Sequence, residues 1–152
     1  YLHYLLCYLP FSVKNKLSPF HLAIPVSNLD KSVIYYRDTL GLKEGRSSSK
    51  WADFDFFGHQ LVCHVSDSIN KQIINPVDGE DVPVPHFGVV LSIEEFEEFL
   101  LKINDKDIDF IIEPTIRFKG EVGEQRTMFF RDPSGNAIEI KAFKDMENLF
   151  NS

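Results

Sequence analysis

A chain of 152 residues, 43% hydrophobic and 13% aromatic, can close one core and is too short for two ordinary domains. A net charge of −7 with an isoelectric point near 5.2, and no Lys/Arg run, excludes the concentrated basic face with which a nucleic-acid partner releases counterions. Residues 1–11 are mostly apolar but fall short of the roughly 20 apolar residues that span a membrane, and two cysteines, Cys7 and Cys63, cannot build a disulfide framework. A cytoplasmic location with no membrane partner is the expectation. Residues 1–18 are read as an N-terminal extension of uncertain role, and 19–146 as a single domain.

In chain order, hydrophobic alternation predicts a strand over 20–26, then a helix over 29–40. Ser27 or Asn28 can cap that helix, Asp30 lies in its first turn, and Gly41 follows its last periodic residue as a stop. Strands are predicted over 43–47, 51–57 and 60–66, followed by a polar loop from 67 to about 83. The second half predicts a strand over 85–91, a helix over 93–104, and strands over 109–116, 125–131 and 137–143. The order β-α-β-β-β thus occurs twice, in modules of about 19–67 and 84–143. His21-Leu-Ala-Ile-Pro-Val opens the first copy and His86-Phe-Gly-Val-Val-Leu the second. Neither module is a comfortable domain alone, so the expectation is an α+β fold. Two tandem βαβββ modules would make a cupped mixed sheet with helices outside. The Asp132-Pro-Ser-Gly-Asn136 run is a turn, since Pro fixes φ and Gly or Asn accepts a left-handed conformation.

Side chains alternate faces along a strand, so parity sorts the candidates for chemistry. Leu22, Ile24 and Val26 form an apolar, helix-facing set, which leaves His21 on the opposite face. Phe87, Val89 and Leu91 do the same for His86, and Ile138 and Ile140 for Glu139. In the fourth strand Leu61, Cys63 and Val65 face the helix, while Gln60, Val62, His64 and Ser66 line the concave side. One histidine on a half-buried strand is more often structural than a ligand. The constellation carries more weight, because the repeat puts His21 and His86 at equivalent positions, and His64 and Glu139 both in last strands. Two imidazoles and a carboxylate leave coordination positions open, which suits Fe(II). With His64 as a fourth ligand the site closes, and Zn, Ni, Co or Mn fit better.

These features, with the Tyr36-Arg-Asp-Thr-Leu-Gly-Leu helix end and Phe130-Arg-Asp-Pro-Ser-Gly-Asn-Ala-Ile-Glu, resemble the glyoxalase, bleomycin-resistance and extradiol-dioxygenase superfamily over about residues 19–143. Within it, Phe54-Asp-Phe-Phe-Gly-His-Gln-Leu-Val-Cys-His64 and Ile116-Arg-Phe-Lys-Gly-Glu-Val-Gly-Glu-Gln125 look like a group described as extradiol-type dioxygenases. The resemblance implies metal ligands at His21, His86 and Glu139, and a homodimer. It places the fourth, glutamate ligand of glyoxalase I near His64. Gln60, Phe129 and the 117–123 segment are substrate-binding candidates from position. Gly120 and Gly123 could hinge a lid, with Arg117 or Lys119 binding an anionic small-molecule substrate.

The implied chemistry is chelation of two vicinal substrate oxygens by the metal. The first expectation is an Fe(II) dioxygenase, with His64 or Gln60 steering protons or oxygen. The alternative is a glyoxalase-type lyase or isomerase in which Glu139 moves a proton, and a third class is a metal-free drug-binding protein using the same cup.

Overall fold

The computed structural model describes residues 17–69 and 71–150; most of the expected 1–18 extension lies outside them. The first module runs β1 (His21–Val26), α1 (Leu29–Val33) continuing into a π-helical turn (Ile34–Thr39), β2 (Lys43–Ser47), β3 (Trp51–Phe56) and β4 (His59–Val65). A hairpin follows, β5 (Ile73–Val77) and β6 (Glu80–Val84). The second module runs β7 (His86–Ser92), α2 (Ile93–Ile103), β8 (Asp109–Arg117), β9 (Gln125–Arg131) and β10 (Ala137–Phe143). Each module forms a four-stranded mixed sheet, ordered β1-β4-β3-β2 and β7-β10-β9-β8. The first and last strands of each module pair in parallel and the rest antiparallel. The fold is α+β with βαβββ modules. No described helix is long and apolar enough to cross a membrane.

Local chemistry explains the helix ends. The Asn28 side chain accepts from the Lys31 amide, and Ser92 with Glu95 makes a reciprocal capping box, so otherwise orphaned amides are satisfied. Gly41 turns the chain at φ +69, which lets the Leu42 amide bond back to the Tyr36 carbonyl. On α2 the buried residues are Phe96, Phe99 and Ile103, while Leu101 is exposed.

One cluster of buried residues joins the helix-facing sides of both sheets. Ile24, Val26, Phe54, Leu61 and Cys63 from the first meet Met128, Phe130, Ile138 and Ile140 from the second, together with Tyr36, Leu40, Phe96 and Phe99. The two halves are also tied by polar contacts. The wider π turn buries two consecutive tyrosines; Tyr35 donates to the Arg131 carbonyl and Tyr36 to Asp132. Asp132 also accepts from the Ser134 and Asn136 amides and the Asn136 side chain, while Asn136 donates to the Pro25 carbonyl. The Asp-Pro-Ser-Gly-Asn turn is therefore a clasp between modules. Tyr36→Phe removes one buried hydrogen bond to a charged group. It is expected to cost about 2 kcal/mol, read as a lower denaturant midpoint with an unchanged slope.

The segment predicted as a polar loop contains the β5–β6 hairpin. Asp78 and Gly79 both have positive φ and join Val77 to Glu80, the two-residue turn that matches strand twist. Pro76 and Pro83 mask the strands in the sequence, since proline is confined to edges and irregular positions. Val82 packs with Ile112 and Phe129 in a second, smaller cluster, so the hairpin covers part of the face of the second sheet that carries Glu139.

Candidate metal centre

His86 opens β7 and Glu139 lies on β10, the neighbouring parallel strand. The His86 Nε2 lies 3.3 Å from Glu139 Oε2. On the far side of the ring, Nδ1 is 2.7 Å from the Pro83 carbonyl. A carbonyl only accepts, so Nδ1 donates to Pro83; Nε2 donates to the Glu139 carboxylate when the ring is charged, and is the atom left for a cation when it gives up that proton. Phe129 meets the same imidazole edge-on at 5.1 Å between ring centres. The Glu139 carboxylate is buried; Thr127 donates to Oε1 at 2.9 Å, and Lys141 Nζ is 3.2 Å from Oε2.

On the first sheet, His21 Nδ1 lies 2.7 Å from Gln60 Oε1, and Gln60 donates its amide to Asp53 at 3.0 Å. His21 Nε2 has no such partner among the described residues. Among the described residues, no three His, Cys, Asp or Glu side chains converge as a metal site. One chain therefore brings His86 and Glu139 together and leaves His21 apart from them. The sets containing His21 and His86 also lie outside the cluster that joins the two sheets.

The strand register corrects the place given to His64. Glu139 lies two residues beyond Ala137, the partner of His86. Two residues beyond Gln60, the partner of His21, is Val62, a buried side chain; His64 lies opposite Pro25 and is exposed. Four residues of strand separate the Gln60 and His64 positions by roughly 13 Å, so His64 does not occupy the position equivalent to Glu139. Arg117 is also placed differently from expectation: only 5% exposed, it donates to the Val77 carbonyl beside Asp78 and props the hairpin turn. Lys119 is exposed in the turn after β8, where the Gly120 amide is held by Glu124. Phe129 is fully buried as the wall behind His86, and Gln60 is engaged by His21 and Asp53. Sequence reading assigned no role to Thr127, Lys141, Asp53 or the Pro83 carbonyl. The strand parity that placed Glu139 on the concave face also places Thr127, Lys141 and Asp53 there, and was the available signal.

The family described as glyoxalase/bleomycin resistance protein/dioxygenase superfamily matches residues 18–140. The chain belongs to this superfamily. A crystal structure of a glyoxalase/bleomycin resistance protein/dioxygenase from Alicyclobacillus acidocaldarius is 32% identical, with TM-score 0.75, over 88% of this chain and 96% of that one. A metallothiol transferase FosB from Staphylococcus saprophyticus is 28% identical over 79% of this chain and 73% of its own. The fosfomycin resistance protein FosX of Listeria monocytogenes shares the fold, with TM-score 0.62 at 22% identity over 91% of this chain and 97% of that one, in a form solved with Mn(II) and 1S,2S-dihydroxypropylphosphonic acid.

A divalent metal is implied for a member of this superfamily, and the donor chemistry fits one. Two imidazoles with Nδ1 engaged present Nε2 outward, and a carboxylate already faces one of them. Without metal, the Glu139 hydrogen bond raises the His86 pKa above the usual 6.5, with burial opposing and the Pro83 carbonyl assisting. Burial pulls Glu139 upward, but His86, Lys141 and Thr127 outweigh it and leave its pKa below 4.5. The raised imidazole contributes stability that is full below its unfolded-state pKa and lost as pH rises through the folded value. The depressed carboxylate contributes stability that is present above its unfolded value and lost as pH falls through the folded one. The part of metal-free thermal stability that His86→Gln removes is therefore expected to shrink as pH rises above about 6.5. Metal affinity is expected to rise over the same range, because a ligating imidazole must give up its proton. Melting curves with chelator and Mn(II) titrations across that range check both signs.

Proposed function

We propose that this chain is a divalent-metal enzyme that adds a thiol to an electrophilic small molecule carrying oxygens able to chelate the metal. His86 and Glu139 of one protomer would hold the metal together with His21 of a second copy, so the working unit is a homodimer. The carrying observation is the convergence of His86 Nε2 and Glu139 Oε2 at 3.3 Å, with His86 Nδ1 held by the Pro83 carbonyl. When bound, the metal supplies Lewis-acid polarisation of a substrate oxygen. Thr127 holds the carboxylate ligand in place, and Phe129 walls the imidazole from behind. Lys141, on the same face, neutralises Glu139 in the metal-free chain and pairs with an anionic substrate group once the metal takes that carboxylate. The name of the staphylococcal relative, metallothiol transferase, and the Mn(II)-bound form of the Listeria protein favour thiol transfer with Mn(II) over the Fe(II) dioxygenase expected from sequence.

The deciding assay incubates Mn(II)-loaded protein with fosfomycin and a low-molecular-weight thiol, and follows both compounds. Stoichiometric, metal-dependent loss of the two is the expected result. Fosfomycin loss without thiol consumption would identify water as the nucleophile. Neither loss, with oxygen uptake on a vicinal diol by the Fe(II)-loaded protein, would return the reading to a dioxygenase.

A further inference from the structure

The two histidines are oriented by different means. His86 leans on a backbone carbonyl, which no side-chain substitution removes directly. His21 leans on Gln60, and a side-chain amide is ambiguous: it can offer either its oxygen or its nitrogen, so by itself it dictates nothing about the imidazole. What removes the ambiguity is the next residue inward. Asp53 is 8% exposed on β3, with Oδ2 3.0 Å from Gln60 Nε2 and 3.6 Å from the guanidinium of the largely exposed Arg46. A carboxylate only accepts. Gln60 must then turn its NH2 toward Asp53, its oxygen falls to His21, and an oxygen acceptor requires the His21 proton to sit on Nδ1.

We propose that Asp53 is the positioning residue of the N-terminal half-site: through Gln60 it fixes His21 as the Nδ1–H tautomer, leaving the Nε2 lone pair for a divalent cation. The inference rests on the metal-enzyme reading above for its purpose, though not for its geometry. Outer partners of this kind set the orientation and basicity of ligating histidines, and their loss costs roughly 10- to 100-fold in metal affinity. The two half-sites would thereby reach the same tautomer, one by backbone and one by a three-residue side-chain relay.

The test uses the metal-free chain of 152 residues with 15N-labelled histidine at about pH 8.5, where an ordinary imidazole is neutral. Two-bond proton–nitrogen correlations distinguish the tautomers. His21 is expected to carry its proton on Nδ1. Asp53→Asn offers Gln60 either an oxygen or an NH2, so the Nδ1–H fraction is expected to fall and the Mn(II) Kd to weaken about tenfold. Adding Gln60→Glu to that variant supplies a carboxylate that accepts from the imidazole on one side and from the new amide on the other, and is expected to restore both readouts. A wild-type His21 protonated on Nε2 overturns the proposal. So does an Asp53→Asn variant with unchanged tautomer and Kd, or a double variant that recovers neither. Should Asp53→Asn fail to fold, the wild-type tautomer alone decides. If the protein binds no Mn(II), the metal reading fails while the tautomer measurement still judges Asp53.

Discussion

Co-expression of His21→Ala and Glu139→Ala chains, each inactive alone, is expected to recover about a quarter of the wild-type activity per protomer if the site is shared across a twofold dimer. Random pairing makes about half of the dimers mixed. In each mixed dimer, one site draws His21 from the Glu139→Ala chain and His86 with Glu139 from the His21→Ala chain, and is intact; the other site carries both lesions. The control is co-expression of His86→Ala with Glu139→Ala. Those two side chains converge within one chain at 3.3 Å, so no pairing rebuilds the proposed site, and no recovery is expected. Complementation absent from the first pair would place the working site inside a single chain. That outcome would require a rearrangement bringing His21 to His86 and Glu139, which do not gather as three ligands among the described residues.

The same case shows where sequence reading reaches and where it stops. Strand parity is a local property, so the placing of His21, His86 and Glu139 on the face away from the main core could be read from the apolar partners on either side of each. The capped helix after β1 and the stop at Gly41 were legible for the same reason. Which concave face meets which is set by packing between modules. Tyr36, Asp132 and Asn136 decide that packing through hydrogen bonds spanning about a hundred residues of chain, and no periodicity announces them. Register is equally hidden: a shift of two residues separates Val62 from His64, both have the same parity, and only the pairing of β4 with β1 tells them apart. The hairpin is a different kind of miss. Its Asp78-Gly79 turn was a readable signal, overridden by the two prolines in its strands. The Asp53 relay was open to parity reasoning but not to motif reasoning, because its meaning lies in which atom of Gln60 faces which neighbour.

Gly88 supplies the second large effect. It lies opposite Glu139 in the β7–β10 register, and the strands approach so closely there that a Cβ on Gly88 would stand 1.6 Å from the Glu139 carbonyl oxygen and 2.6 Å from its carbonyl carbon. Neither atom belongs to a flexible side chain, so Gly88→Ala must push β7, the edge strand of its sheet, away from β10. Overpacking of this kind costs about 3 kcal/mol at the upper end of its usual range, and a drop in Tm of roughly 10 °C follows for a domain of this size. Gly58→Ala is the matched comparison, since Gly58 has φ +86 and no atom of the described residues lies within 4 Å of where its Cβ would stand. It suffers backbone strain alone, about 1 kcal/mol. The two variants should differ more in metal binding than in stability. Displacing β10 at Glu139 moves the carboxylate away from His86 Nε2, whereas strain in the β3–β4 turn leaves His86 and Glu139 where they are. A Gly88→Ala protein that melts lower yet binds Mn(II) like wild type would show that Glu139 is not a ligand.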